Sequence, residues 1–115
     1  MSPEEIFDIL SDEYSRVILA QANKKPMSAQ ELAHALDAHH STIYRRLERL
    51  QEFGLIVGQQ RVDVEDGHHY TEYKTTLEEI NVNLNQEQYT VTIRRDEDPI
   101  DRMAHMWQQI RGEDP

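Results

Sequence analysis

The sequence predicts an α+β fold, and three observations carry that reading. Apolar residues recur at helical spacing through the first 53 residues. Gly54 then interrupts the pattern, as a glycine just past a helix end does. From Leu55 onward the apolar period switches to two, the signature of half-buried strands. At 115 residues the chain suits one compact domain. Two parts are expected within it, residues 1–76 and residues 77–115.

Ser2-Pro3-Glu4-Glu5 reads as a helix start, with Ser as N-cap, Pro at the first helical position and acids in the first turn. Ile6 and Leu10 give that helix one apolar face. A second helix restarts at Ser11-Asp12-Glu13, with Tyr14, Val17, Ile18 and Leu19 expected inside, and ends at Asn23-Lys24-Lys25-Pro26. Ser28 and Glu31 have capping-box spacing and open a short helix that buries Leu32, Ala33 and Leu36. After the turn Asp37-Ala38-His39 comes the strongest helix, about His40 to Phe53, with Ile43, Leu47 and Leu50 inward. Gly54 and Leu55 predict a Schellman stop.

Strands are expected over residues 55–64 and 68–75, with Asp66-Gly67 as a type I′ hairpin turn between them. A second alternating pair follows, Ile80, Val82 and Leu84 against Tyr89, Val91 and Ile93, turning at Asn85–Gln88. Arg94-Arg95-Asp96-Glu97 reads as a charged break. Asp98-Pro99 opens a last helix with Ile100, Met103, Trp107 and Ile110 on one stripe, too apolar to be left in water. That stripe, with Ile6 and Leu10 of the first helix, is the expected dimer seam; docking of the stripe onto the chain's own core is the alternative.

Two helices joined by a tight turn, then Gly and a hairpin, describe a winged helix-turn-helix, here with an added antiparallel strand pair and a C-terminal dimerisation helix. In that arrangement the longer helix, 40–53, enters a major groove and the hairpin, 55–75, serves as wing. His40, Ser41, Tyr44, Arg45 and Glu48 are its outward positions; Thr42 lies near its N-terminus and Arg46 and Arg49 flank. Arg45 and Tyr44 are the candidates for base edges. Ser41, Thr42 and the helix N-terminus suit phosphate, His40, Arg46 and Arg49 complete the DNA-binding set on the helix, and on the wing Arg61 with one of His68 and His69 reaches phosphate from the flank. The wing tip, Glu65-Asp66-Gly67, departs from this pattern, because a tip entering a minor groove favours Arg or Lys.

The stretch Asp8-Ile9-Leu10-Ser11-Asp12-Glu13-Tyr14-Ser15-Arg16-Val17-Ile18-Leu19 resembles the opening of ArsR-type winged-helix regulators. Ser28 to Ile56, including Ser41-Thr42-Ile43-Tyr44-Arg45-Arg46-Leu47 and Leu50-Gln51-Glu52-Phe53-Gly54-Leu55, resembles their helix-turn-helix. The likeness covers residues 6 to 76. The tail, from Ile80 through Arg94-Arg95, Asp98-Pro99, Asp101-Arg102 and Trp107, resembles small haloarchaeal regulators of the RosR type, linked to oxidative-stress response. The resemblance implies a homodimer that binds a pseudo-palindromic site on double-stranded DNA and acts on transcription.

Charge bears on the same question. The formal net charge is −10, which by itself disfavours nucleic acid. Residues 39–62, however, carry Arg45, Arg46, Arg49 and Arg61 against Glu48 and Glu52, or +2, while residues 1–38 come to −4 and residues 63–115 to −8. The one positive block is the candidate recognition helix and the start of the wing. An exposed helix face that pairs its arginines with Glu48 and Glu52 is the competing explanation. Only three of the 12 basic residues are Lys against 22 acids, a composition that suits a high-salt cytoplasm where potassium or other ions screen and bind carboxylates. An ordinary acidic cytosolic protein has the same sign of charge. Few neutralising residues predict a shallow salt dependence of DNA binding.

Other classes find little support. There is no Cys, which excludes disulfides, a Cys nucleophile and thiolate metal sites. No cofactor and no metal site are expected: His68 and His69 are adjacent on a strand and face opposite ways, and although a dimer could bring together two Asp101–His105 pairs, i,i+4 on the last helix, solvated histidines are the default. No phosphate loop or nucleophile elbow is present, so an enzyme is not expected. The acidic start has no h-region, no segment is apolar enough for a membrane, and a cytoplasmic protein is expected. The competing functional class is a winged helix used as a protein-interaction module, which the acidic surface and wing tip suit.

Overall fold

The computed structural model describes residues 2–96. Four helices come first: α1 (Pro3–Ser11), α2 (Glu13–Lys24), α3 (Ala29–Leu36) and α4 (His40–Glu52), with a two-residue strand β1 (Met27–Ser28) before α3. Then follow β2 (Ile56–Val62), β3 (His69–Thr75), β4 (Leu77–Asn85) and β5 (Gln88–Arg95). The strands form two antiparallel sheets, β1-β3-β2 and β4-β5. This is a winged helix-turn-helix with an added strand pair.

Local chemistry sets the helix ends. Ser2 with Glu5 and Ser28 with Glu31 both form complete capping boxes. Asp12 ends α1 and caps α2, accepting from the Ser15 N–H at 2.9 Å. Leu55 donates to the Leu50 carbonyl and Gly54 to that of Gln51, the Schellman pattern, with Leu50 and Leu55 both buried beneath it. The core joins Ile9, Ile18, Leu19, Ala22, Leu32, Ala33, Ile43, Leu47, Leu50, Leu55, Ile56 and Tyr73.

Several expectations change. The inner face of α2 is Ser15, Ile18, Leu19 and Ala22, while Tyr14 is exposed and Val17 half-buried. Ser15 goes inside because its hydroxyl donates to the Asp12 cap, so a polar residue takes an inward position. Strand β1, too short to show a period, pairs Met27 with Tyr73 and Ser28 with Glu72 and makes β3 the central strand. Central placement explains why residues 72–76 are all buried despite being mostly polar. Lys74 donates to the Asn23 carbonyl at 2.5 Å, Thr75 to that of Leu19 and Thr76 to that of Gly54, both at 2.7 Å.

The first hairpin turn departs from the sequence expectation, while the second falls at Asn85–Gln88 as expected. Asp66-Gly67 is not a two-residue turn. The chain spans Asp63 to His68, with the Asp63 N–H bonded to the His68 carbonyl, and Gly67 at φ +71° closes a four-residue loop. The Asp63 and Asp66 carboxylates build that loop by accepting from the Glu65 and His68 N–H groups. The type I′ turn lies instead between β4 and β5, at Gln86 (φ 51°) and Glu87 (φ 67°), where no glycine signals it.

Ile6 is 1% exposed, and with Val91, Ile93 and Arg95 it lines a small cleft between α1 and β5. It is thus packed inside the protomer and presents no dimer seam; Leu10 is half-buried. Ile100, Met103, Trp107 and Ile110, expected in the same seam, lie outside the described residues, as do Asp101 and His105.

Candidate nucleic-acid interface

Helices α3 and α4 form the helix-turn-helix. Asp37 takes the left-handed conformation (φ 49°) between them, its N–H returning to α3. Ile43, Leu47 and Leu50 bury one side of α4, which leaves His40, Ser41, Tyr44, Arg45 and Glu48 exposed on the other. Tyr44 is 54% exposed. The helix is the one among those described whose N-cap residue, His39, makes no side-chain cap. Its first backbone N–H groups, at Ser41 and Thr42 among them, therefore point outward with the positive end of the helix dipole.

The arginines of α4 divide sharply. Arg46 pairs with Asp12 at 2.8 Å through Nε, adds a second bond at 3.4 Å, and lies 5.9 Å from the Tyr14 ring centroid. Arg49 pairs with Asp8 at 2.7 Å. Both side chains thus tie α4 to the α1–α2 corner. Arg45 has no hydrogen bond or ion pair among the described residues. Its expected helix partner, Glu48, is not used. Burial pushes the Asp12 carboxyl up, but the hydrogen bonds from Arg46 and Ser15 outweigh it and hold it below the usual value. Asp8, Asp12, Arg45, Arg46 and Arg49 line one open polar cleft of about 500 Å³.

On the wing, Arg61 lies 3.7 Å from Glu72, with only about a fifth of its side chain exposed. Glu72 is buried in the central strand. Burial pushes its carboxyl up to about 7, against the opposing field of Arg61 and with the help of Glu31. Its Oε1 and the Oε1 of Gln59, directly opposite on β2, have no hydrogen-bond partner among the described residues. His68 and His69 are exposed at the start of β3, with His68 3.8 Å from Asp66. Between the wing and α3–α4 runs an open groove of about 650 Å³, bordered by Glu31, Tyr44, Asp63, Asp66, His68 and His69. No group of three or more metal-ligating side chains occurs among the described residues.

The far end of α4 is clamped from the ribbon β4–β5. Arg95 donates from Nε to the Gly54 carbonyl at 3.0 Å and from a terminal nitrogen to that of Phe53 at 2.8 Å. A guanidinium at the negative end of a helix is favourable on both hydrogen-bond and dipole grounds. Sequence reasoning read Arg94-Arg95 as a break and missed this role, and it missed Asp8, Asp12 and Glu72 as partners of the arginines. The spans of 34 and 41 residues between these partners leave no local spacing to read. The one available signal was Asp12 at an N-cap position.

Residues 10–59 match the model of a helix-turn-helix domain family, a span from the end of α1 through α4 into β2. No curated protein matches the chain. The chain therefore carries a helix-turn-helix domain, the kind DNA-binding transcription regulators use. No helix among the described residues is long and apolar enough to cross a membrane.

Proposed function

We propose that the protein is a homodimeric, sequence-specific transcription regulator, without catalytic activity, that lays α4 in the major groove and sets β2–β3 against the flanking backbone. One observation carries this reading: α4 is braced on its inner side, along its flank and at its C-terminus, while its outer face keeps an N-terminus without a side-chain cap and an Arg45 with no ion pair among the described residues. Tyr44 and Arg45 read bases; His40, Ser41 and Thr42 meet phosphate. Arg46 and Arg49 serve chiefly to hold the interface, since each already pairs with a carboxylate, and Arg61 is held beside the buried Glu72. His68 and His69 approach the backbone from the wing's flank while the acidic tip stays in water.

The ArsR-like class, the RosR-type link to oxidative stress and the high-salt cytoplasm belong to the same proposal. The class rests on the resemblance of residues 6–76, the RosR-type link on that of the tail from Ile80 to Trp107, and the high-salt cytoplasm on the acid-rich, lysine-poor composition. With so few free cations, bound potassium bridges carboxylate and phosphate, and affinity falls little with added salt.

Selection of genomic fragments by the purified chain in molar potassium salt tests the proposal. Enrichment of a short pseudo-palindromic motif is the expected result; no enrichment contradicts it. The acidic loop Asp63, Glu65 and Asp66 and the neutralised arginines favour a second reading, a protein-interaction module, which a failure to enrich DNA would support.

A further inference from the structure

The ribbon β4–β5 has one apolar and one polar face. Register pairs Ile80 with Ile93, Val82 with Val91 and Leu84 with Tyr89 on the first, and Asn81 with Thr92 and Asn83 with Thr90 on the second. The proximal part of the apolar face is covered: Ile93 packs on the core, Val91 lies beside Ile6, and Phe7 meets Tyr89 edge-on at 5.8 Å. Apart from Leu77 at the start of β4, which also packs on the core, the covering contacts fall on β5. Val82, Leu84 and Tyr89 stay 47, 60 and 55% exposed, and the outer edge of β4 has no strand partner among the described residues. A two-stranded ribbon left in this state is marginal in water.

Beyond Glu78, Glu79 and the register shift at the start of β4, the edge also lacks the usual protections. Lysines, prolines and charged residues normally discourage strand pairing. Residues 80–93 contain no Lys, Pro or Gly and one charge, Glu87, in a chain whose residues are 30% charged. That neutrality selects the partner. Two copies at −10 each would set carboxylates against carboxylates at contact over most of their surfaces, and this ribbon is where they can touch with little opposing charge. Residues 80–85 of two identical β4 strands carry no charge and so place no like charges opposite one another across a two-fold axis, with Glu78 and Glu79 outside that span.

The geometry points to a second copy of this chain as the partner of the ribbon: β4 pairs antiparallel with β4 of the other protomer, giving the sheet β5-β4-β4-β5 with one continuous apolar face. This deepens the homodimer reading above and rests on it, but needs no DNA. Light scattering of the full chain without DNA, in molar potassium salt, is the test. The wild type is expected at about twice 13.6 kDa. Val82→Lys with Leu84→Lys is expected at the monomer mass with an unchanged helical circular dichroism spectrum, because both positions are exposed. Because the chain has no cysteine, single cysteines report the neighbour directly. Under copper–phenanthroline, Asn83→Cys is expected to form a covalent dimer and Thr92→Cys on β5 to form none. A monomeric wild type overturns the homodimer reading itself. A dimer that survives both lysines, with no Asn83→Cys cross-link, overturns the ribbon alone, and a cross-link from Met103→Cys would then assign the interface to residues 97–115.

Discussion

The Arg95 guanidinium sits 3.0 Å from the Gly54 carbonyl, 41 residues away in sequence, and closes the C-terminal end of the candidate recognition helix. Gly54 is required there twice over. Its φ of +67° disfavours any side chain, and an added Cβ would lie 3.1 Å from Arg95 Nε. Gly54→Ala is expected to cost about 1–2 kcal/mol from the backbone conformation alone. Arg95→Met is expected to cost about 1–2 kcal/mol through the lost charged hydrogen bonds. Thermal melts of the two variants check both; stability equal to wild type for Arg95→Met would show that the clamp is idle.

Asp12 joins three jobs: it ends α1, caps α2 and holds Arg46. Asp12→Ala is expected to lose about 1–2 kcal/mol, the sum of a cap and a part-buried ion pair. Because its carboxyl is held below the usual value in the fold, its contribution is present above the ordinary carboxylate range. It is lost as pH falls through the depressed value. The stability gap between wild type and Asp12→Ala should therefore narrow in acid, as denaturant titrations at pH 7 and pH 3 would read.

Glu72 has the opposite sign. In the unfolded chain it ionises near 4.5, while in the fold it keeps its proton to about pH 7. Folding is thus increasingly penalised as pH rises between those values, and the full penalty stands above 7. Glu72→Gln removes the titration and keeps the shape. It is expected to stabilise the protein by about 1–3 kcal/mol at pH 8 and to gain little at pH 4. A pH-independent effect would contradict this.

The type I′ turn at Gln86 and Glu87 holds two ordinary residues in left-handed backbone. Replacing them with Asn-Gly suits that turn and is expected to add about 1 kcal/mol. Denaturant midpoints of the double variant against wild type check it.

The order of helices, the N-cap at Ser2, the capping box at Ser28 and the Schellman stop at Gly54 were legible because each is written within four or five residues. The outward set His40, Ser41, Tyr44 and Arg45 was legible because the Ile43, Leu47, Leu50 stripe fixes the rest of α4. The fate of Arg46, Arg49 and Arg61 was not, since Asp12, Asp8 and Glu72 reach them only through tertiary packing. The first hairpin turn was misread for a related reason. Asp66-Gly67 has the dipeptide for a type I′ turn, but two aspartates use their own side chains to build a longer loop, whereas register alone imposes the turn at Gln86-Glu87. Strand β1 was invisible because two residues carry no period.

The central claim is that Arg45 contacts DNA while Arg46 supports the fold, although the two are neighbours in sequence. Fluorescence anisotropy with the selected duplex, in molar potassium salt, compares Arg45→Ala with wild type. The expected result is a loss of about 1–3 kcal/mol, or roughly 5- to 150-fold in affinity, with an unchanged melting temperature and relaxed preference at one base position. Affinity equal to wild type would contradict the account.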